Sequence, residues 1–425
     1  MIATIPARLK LDNAANIYPA SMSKHYSSLY RMKVTIIDPI DTDILQTALL
    51  HVSERIPTFR CTLHTGTFWW YLDRCKAMPS VRPLKPLKHF SFSDQDGLLY
   101  RVSIDGHAIV LDVFHALADG NGAMCFLMTL AGEYIRLRYG VTMSYNQLVW
   151  DPKDRPAYAE VEDSFKTVFS GRHGKLEKNV DAYHIGGRTL PFCAVKDLRA
   201  VLSAQKVKEV CREYGCTVTE LITAAMLWAL QEEHRQDPSR RKRSVLKVSV
   251  PVNLRPIYGS RTVRNFSSYV NLGVDIKGGY YSFVQLVNAV HMQKVNDLRK
   301  EQLEPKIAAN VELEEMLLVR LLPLKIKHPI IDIINLLHGD RFCSQTLSNM
   351  GQIQLPAPMQ PYVTDVDFIL GRQRGNSGAF SCVSYGGKMY LHMTRKIEED
   401  RFETAFLQQL SSLGLTVGTQ LSSLA

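Results

Sequence analysis

Hydrophobic periodicities of two kinds alternate along the whole chain. Strand-like runs of period two and helix-like runs of period 3.6 succeed one another instead of collecting in blocks, with no repeat of about 20 to 50 residues. That alternation predicts a layered α/β or α+β architecture in which helices cover sheets. At 425 residues the chain is longer than one hydrophobic core usually serves, so two packed domains are expected. A cleft between them is the natural place for chemistry.

In the first half, the spacing of Ile44, Leu45, Ala48, Leu49 and Val52 predicts a helix over 43–54, stopped by Pro57. A hairpin is expected from 59–63 and 68–72, and a second from 98–104 and 108–114, turning at Asp105-Gly106. A helix from Gly122 to Tyr139 follows, closed by Gly140. His115 therefore stands in a short connection from strand to helix. The polar, glycine-rich run 171–178 with Gly186-Gly187-Arg188 is the expected crossover, which gives one lobe over 1–185 and another over 186–425.

The second half opens with Ser203 as an N-cap for a helix to Tyr214. Thr217 with Glu220 forms a capping box before the apolar helix 221–230. Strands are expected at 245–250, 269–276, 345–347, 365–370, 379–385 and 388–394, and helices at 283–299, 313–322 and 401–413. The apolar stretch Met316 to Leu337 is interrupted by Arg320, Pro323, Lys325, Lys327 and His328, which favours a broken helix pair over a membrane span.

Charge and cysteine content narrow the function classes. Lys and Arg number 51 against 41 Asp and Glu, a net charge of +10 that favours a polyanionic partner or a phosphorylated cosubstrate. Basic residues are dispersed except for Arg240-Arg241-Lys242-Arg243, which argues against nucleic acid. That cluster, Arg240, Arg241, Lys242 and Arg243, is either a contact for the phosphates of such a cosubstrate or a solvated loop. The eight cysteines include no C-x-x-C pair, so neither a zinc site nor a disulfide framework is indicated, and a reducing cytoplasmic setting is expected.

The run Phe114-His115-Ala116-Leu117-Ala118-Asp119-Gly120 places a histidine beside a carboxylate and two glycines, Gly120 and Gly122, that permit sharp turning and close backbone approach. Histidine is the usual general base near neutrality. This H-x-x-x-D-G run after a strand resembles the chloramphenicol acetyltransferase-like superfamily, which includes BAHD acyltransferases, wax ester synthases, alcohol acetyltransferases and condensation domains of peptide synthetases. Two further regions extend the resemblance: Val250 to Pro256 followed by Arg264 to Asn271, and Thr346 to Gly351 followed by Asp367-Phe368-Ile369-Leu370-Gly371. The last departs from the BAHD D-F-G-W-G motif by Ile369-Leu370. Phe114 stands where condensation domains usually carry another histidine.

The resemblance implies two similar α/β lobes with a tunnel between them, His115 as the catalytic base, and Asp119 paired with Arg255 as a structural clamp. Asn271, Ser348 and Asn349 are candidate oxyanion or tunnel residues, with strand-end hydrogen bonding as their ordinary alternative. The expected activity is metal-independent O-acyl transfer of alcohol acetyltransferase type, with acyl-CoA as cosubstrate, no bound cofactor, and a small alcohol or amine as acceptor. Transfer from an acyl carrier protein and a catalytically inactive, tunnel-bearing scaffold are the alternatives. Two lobes in one chain remove any need for an intersubunit site, so a monomer suffices.

Overall fold

The strand Ala108–Phe114 is buried at every position, as a strand covered on both faces must be. In the computed structural model, which describes residues 6–23, 26, 28–87, 90–174, 180–239, 243–338 and 340–423, it sits at the centre of a five-stranded sheet. Its neighbours are Leu29–Ile36 and Tyr100–Asp105, both antiparallel. The hairpin turns at Gly106, whose φ of 59° suits a residue without a Cβ. The single charge of the strand, Asp112, is neutralised by Arg31 at 2.6 Å and by Arg101.

A seven-stranded sheet forms the second layer. Its order runs Ser267–Asp275, Val245–Asn253, Gln345–Gln352, Gly378–Tyr385, Lys388–Arg395, Lys196–Ser203 and Gly418–Ser423. Helix Val218–Gln236 packs against it, opened by the capping box of Thr217 and Glu220. Ser203 caps Ala204–Glu213 by accepting from the amide of Lys206. Gly386 and Gly387, with φ of 56° and 78°, make the hinge between the strands on either side.

Two large hydrophobic cores result, one under each sheet, with a small third cluster built from Phe165, Phe169, Phe266 and Ile307 at the crossover. The strand Val363–Leu370 belongs by sequence to the second half. It pairs antiparallel with Leu29–Ile36 and so completes the first sheet. Its backbone groups thereby gain ladder partners and its apolar residues Val366, Phe368 and Ile369 join the first core. A cut at residue 185 divides the chain order but not the sheets.

Several elements depart from expectation. The first hairpin uses Cys61–Thr65 and Trp70–Arg74, two residues later than read, because a 3-10 turn occupies Pro57–Arg60. An unanticipated strand, Arg8–Lys10, pairs beside it. The helix expected over 313–322 is two pieces, Lys300–Glu315 and Leu317–Leu321, divided where Met316 turns extended at ψ 132°. Leu324–His338 then follows Pro323. Among the described residues no helix is long and apolar enough to cross a membrane.

Candidate active site

Local geometry delivers His115 to the seam between the lobes. Its amide donates to the carbonyl of Ser28 at 3.0 Å, one step past the end of the strand, and the amide of Leu117 turns back to Phe114 at 2.9 Å. Asp119 then caps helix Gly120–Tyr139, its Oδ1 accepting from the amide of Gly122 at 3.0 Å. Gly122 is required there: a Cβ would stand 1.8 Å from the carbonyl oxygen of Val263 on the second half. Gly120 lies against Met350, whose sulfur would meet a Cβ at 3.0 Å.

Asp119 is held by four hydrogen bonds. Arg255 donates Nη1 to Oδ2 at 2.9 Å and Nη2 to Oδ1 at 3.0 Å, while the amides of Phe266 and Gly122 each donate at 3.0 Å. Burial works against the charge, but the guanidinium and the amides outweigh it and hold the carboxyl below its usual range. Arg255 in turn donates to the carbonyls of Thr262 at 2.7 Å and Arg264 at 2.5 Å, so the pair ties the histidine turn to the loop after Asn253. The carboxylate does not contact the imidazole.

The partners of His115 are instead Asn265 and two tyrosines. Nδ1 lies 3.1 Å from Oδ1 of Asn265 and Nε2 lies 3.4 Å from the hydroxyl of Tyr18. Tyr18 stacks on the imidazole at 4.2 Å, and Tyr30 meets it edge-on at 5.2 Å while donating its hydroxyl to the carbonyl of Ala118 at 2.8 Å. Asn265 donates Nδ2 to Oδ2 of the fully buried Asp12 at 3.3 Å, and Asp12 accepts from the amide of Ala15 at 2.8 Å.

This chain of contacts sets the tautomer. An amide nitrogen turned to Asp12 leaves the amide oxygen for His115, and an oxygen there needs a proton on Nδ1. The lone pair is therefore on Nε2. Burial lowers the imidazole pKa below its ordinary value, more than its own carbonyl, Asp119 and Asn265 raise it, so the ring is neutral near pH 7. Burial pushes the Asp12 carboxyl up to about 7, with Arg264 pulling the other way. Tyr18 is pushed well above the ordinary phenol range by burial and keeps its proton.

The other residues singled out in the sequence fall out differently. Asn349 is committed, donating to Thr219 at 3.0 Å and accepting from the amide of Gly351 at 2.8 Å. Asn271 sits in the strand Ser267–Asp275 opposite Ser249, and its Oδ1 is buried with no hydrogen-bond partner. Leu347 is buried in the second core, so alternation turns Ser348 to the face it shares with Ser381, whose hydroxyl donates to Phe368 at 2.6 Å. By the same alternation Asn271, between the second-core residues Val270 and Leu272, faces the same side of the sheet as Ser348. Arg240, Arg241 and Lys242 lie outside the described residues. Arg243 pairs with Asp181 at 2.9 Å and donates to the carbonyl of Ala182 at 3.2 Å.

Asp367 is structural: it accepts from His392 at 2.9 Å and from Arg199 at 2.7 Å. Trp69 lies under Lys10 and Lys327, at 3.8 and 3.3 Å from its ring centroid, and Trp70 is buried in the first core. Asp12, Tyr18 and Asn265 were not selected from the sequence. Asp12 and Tyr18 precede every element that periodicity reveals, and Asn265 lies inside the run Arg264 to Asn271 with no local signature of its own.

No family model and no curated protein matches the sequence. Solved structures do match the fold over nearly its whole length. Polyketide synthase associated protein 5 from Mycobacterium tuberculosis superposes with a TM-score of 0.64 at 17% identity, covering 95% of this chain and 97% of that one. The starter condensation domain of rhizomide synthetase, solved with C8-CoA and Leu-SNAC, gives 0.59 at 13% identity over 96% and 94% of the two chains. Trichothecene 15-O-acetyltransferase from Fusarium sporotrichioides gives 0.58 at 12% over 96% and 94%. With its two sheets, its seam at His115 and these neighbours, the chain has the two-lobed chloramphenicol acetyltransferase-like fold.

Proposed function

We propose that the protein is an acyl-CoA-dependent O-acyltransferase of alcohol acetyltransferase type with His115 as general base. The observation that carries this reading is the neutral imidazole between the lobes, its Nδ1 held through Asn265 to Asp12 and its Nε2 left basic. In the reaction Nε2 takes the proton of an acceptor hydroxyl as its oxygen attacks the thioester carbonyl carbon. The tetrahedral oxyanion collapses, the carbon–sulfur bond breaks, and the imidazolium returns the proton to the thiolate. A general base of this kind contributes about 10² to 10⁴ in rate.

Ser348 and Asn271, on the sheet face turned from the second core, are the candidate donors to the oxyanion. The solved acetyltransferase supports transfer to oxygen. Tyr18 covers Nε2 through its hydroxyl, so an acceptor hydroxyl takes the place of a group already at hydrogen-bonding distance. The eight cysteines, none in a C-x-x-C pair, fit a reducing, cytoplasmic setting.

A second reading, transfer from a carrier-protein thioester, is favoured by the likeness to a condensation domain. Thiol release from acetyl-CoA and longer acyl-CoAs, with pooled alcohols and amines as acceptors, separates the two. Acceptor-dependent release that falls at least about a hundredfold in His115→Ala supports the acyl-CoA reading. Turnover only with a carrier-bound thioester moves the assignment to condensation-type transfer.

A further inference from the structure

The broken helix pair leaves an apolar surface uncovered. Helix Leu324–His338 turns Leu324, Lys327 and Ile331 inward, against the first core and the ring of Trp69. Its outward residues Ile326 and Ile330 are apolar as well, where a helix face turned to water ordinarily carries charge. Leu313, Leu317 and Leu321, at intervals of four along the two preceding helices, are exposed too. These side chains belong to residues 44% to 68% exposed.

Charge on this surface has one sign. From Met316 to Ile330 every exposed residue among those described is apolar or basic, the bases being Arg320 and Lys325. Neither base has an ion-pair partner among the described residues. The flanking acids are all engaged: Glu312 by the amide of Gly174 at 2.9 Å, Glu314 by Lys10 at 2.6 Å, Glu315 by Ser170 and Asp332 by Arg374. Unpaired bases among exposed leucines and isoleucines, with no free acid to repel phosphate, complement the headgroups and acyl boundary of an anionic lipid surface. A second copy of the chain would bring like bases together, which their repulsion opposes. The surface stands one helix away from the imidazole, since Leu324–His338 packs on Ile17–Ser21, whose Tyr18 stacks on His115.

We infer that residues 313–330 dock on an anionic phospholipid surface, with Leu317, Leu321, Ile326 and Ile330 at the acyl boundary and Arg320 and Lys325 at the headgroup phosphates.

Co-sedimentation with vesicles tests this without turnover. The intact protein should bind vesicles of mixed phosphatidylglycerol and phosphatidylcholine, less so as salt is added, and vesicles of phosphatidylcholine alone at least about tenfold more weakly. Arg320→Gln with Lys325→Gln should weaken binding to the anionic vesicles by about fivefold for each base. Leu317→Ser, Leu321→Ser, Ile326→Ser and Ile330→Ser together should weaken it at least about a hundredfold. Met292→Ser, an exposed position on helix Phe283–Asp297, is the control and should bind as the wild type does. Circular dichroism checks that each variant is folded, and the charge variant decides alone if the serine variant is not. A wild type that stays in solution with both vesicles overturns the docking, as does equal binding to the two. Binding that neither set of substitutions weakens also overturns it. Self-association in velocity sedimentation without lipid, lost in the serine variant, assigns the surface to a second copy and overturns it likewise.

Discussion

Removing the Asp119 side chain tests the clamp between the halves. Asp119→Ala leaves the Arg255 guanidinium, only 14% exposed, without its countercharge, and leaves the amides of Gly122 and Phe266 without an acceptor. Breaking one partner out of a buried pair costs about 3 to 5 kcal/mol. Two orphaned amides at about 1 to 3 kcal/mol each and a lost N-cap at about 1 kcal/mol describe much of the same damage, so the terms overlap and are not summed. A loss of about 4 kcal/mol is expected, a large share of the roughly 5 to 15 kcal/mol that holds a domain folded. Urea unfolding followed by circular dichroism measures it.

The same argument fixes the double variant. Arg255→Ala also removes the pair, but it takes away the stranded charge that makes Asp119→Ala costly. The double variant should therefore be about 2 to 3 kcal/mol more stable than the sum of the single losses predicts. Single substitutions that each cost under about 0.5 kcal/mol, or losses that add without coupling, would falsify the clamp and with it the account of how His115 is positioned.

Three further outcomes follow from the site and its surroundings. Asn265→Ala should lower kcat by one to three powers of ten, on the order of what a freely rotating imidazole forfeits, with KM little changed, whereas Asn265→Gln should recover part of the loss; equal activity in both would remove Asn265 as a positioning residue. Because burial lowers the His115 pKa, the acid limb of kcat/KM should lie below the ordinary histidine value of about 6.5, and a limb at or above that value contradicts the buried, neutral base. Despite its burial, His392 is raised to about 9 by Asp197 and Asp367, so its stabilisation is complete below its unfolded value of about 6.5 and is lost as pH climbs through 9. That interval is worth about 3 kcal/mol, and comparison of unfolding at pH 6 and 9.5 should show a decline in the wild type that His392→Gln lacks.

What could be read in advance was local chemistry. The capping box at Thr217 and Glu220, the N-cap at Ser203 and the hairpin at Asp105-Gly106 are patterns within a few residues, and each stands in the structure where its spacing put it. The H-x-x-x-D-G run likewise gave the turn at His115, since a capping aspartate and two glycines act on their own neighbours. The pairing of Asp119 with Arg255 came from resemblance and is met at 2.9 Å.

Tertiary structure alone decided the rest. Strand Val363–Leu370 closes the first sheet because an edge needs ladder partners, and no periodicity encodes which edge a strand will find. Asp12 reaches His115 through Asn265, across separations of 253 and 150 residues, and neither residue carries a local signature of that role. Lys208, Arg212 and Lys388 look like dispersed surface charge until folding sets them on one cavity. The sequence by itself determined the turns, the caps and the candidate histidine; which distant residues hold that histidine, and where three cations gather, are long-range contacts that only the packed chain creates.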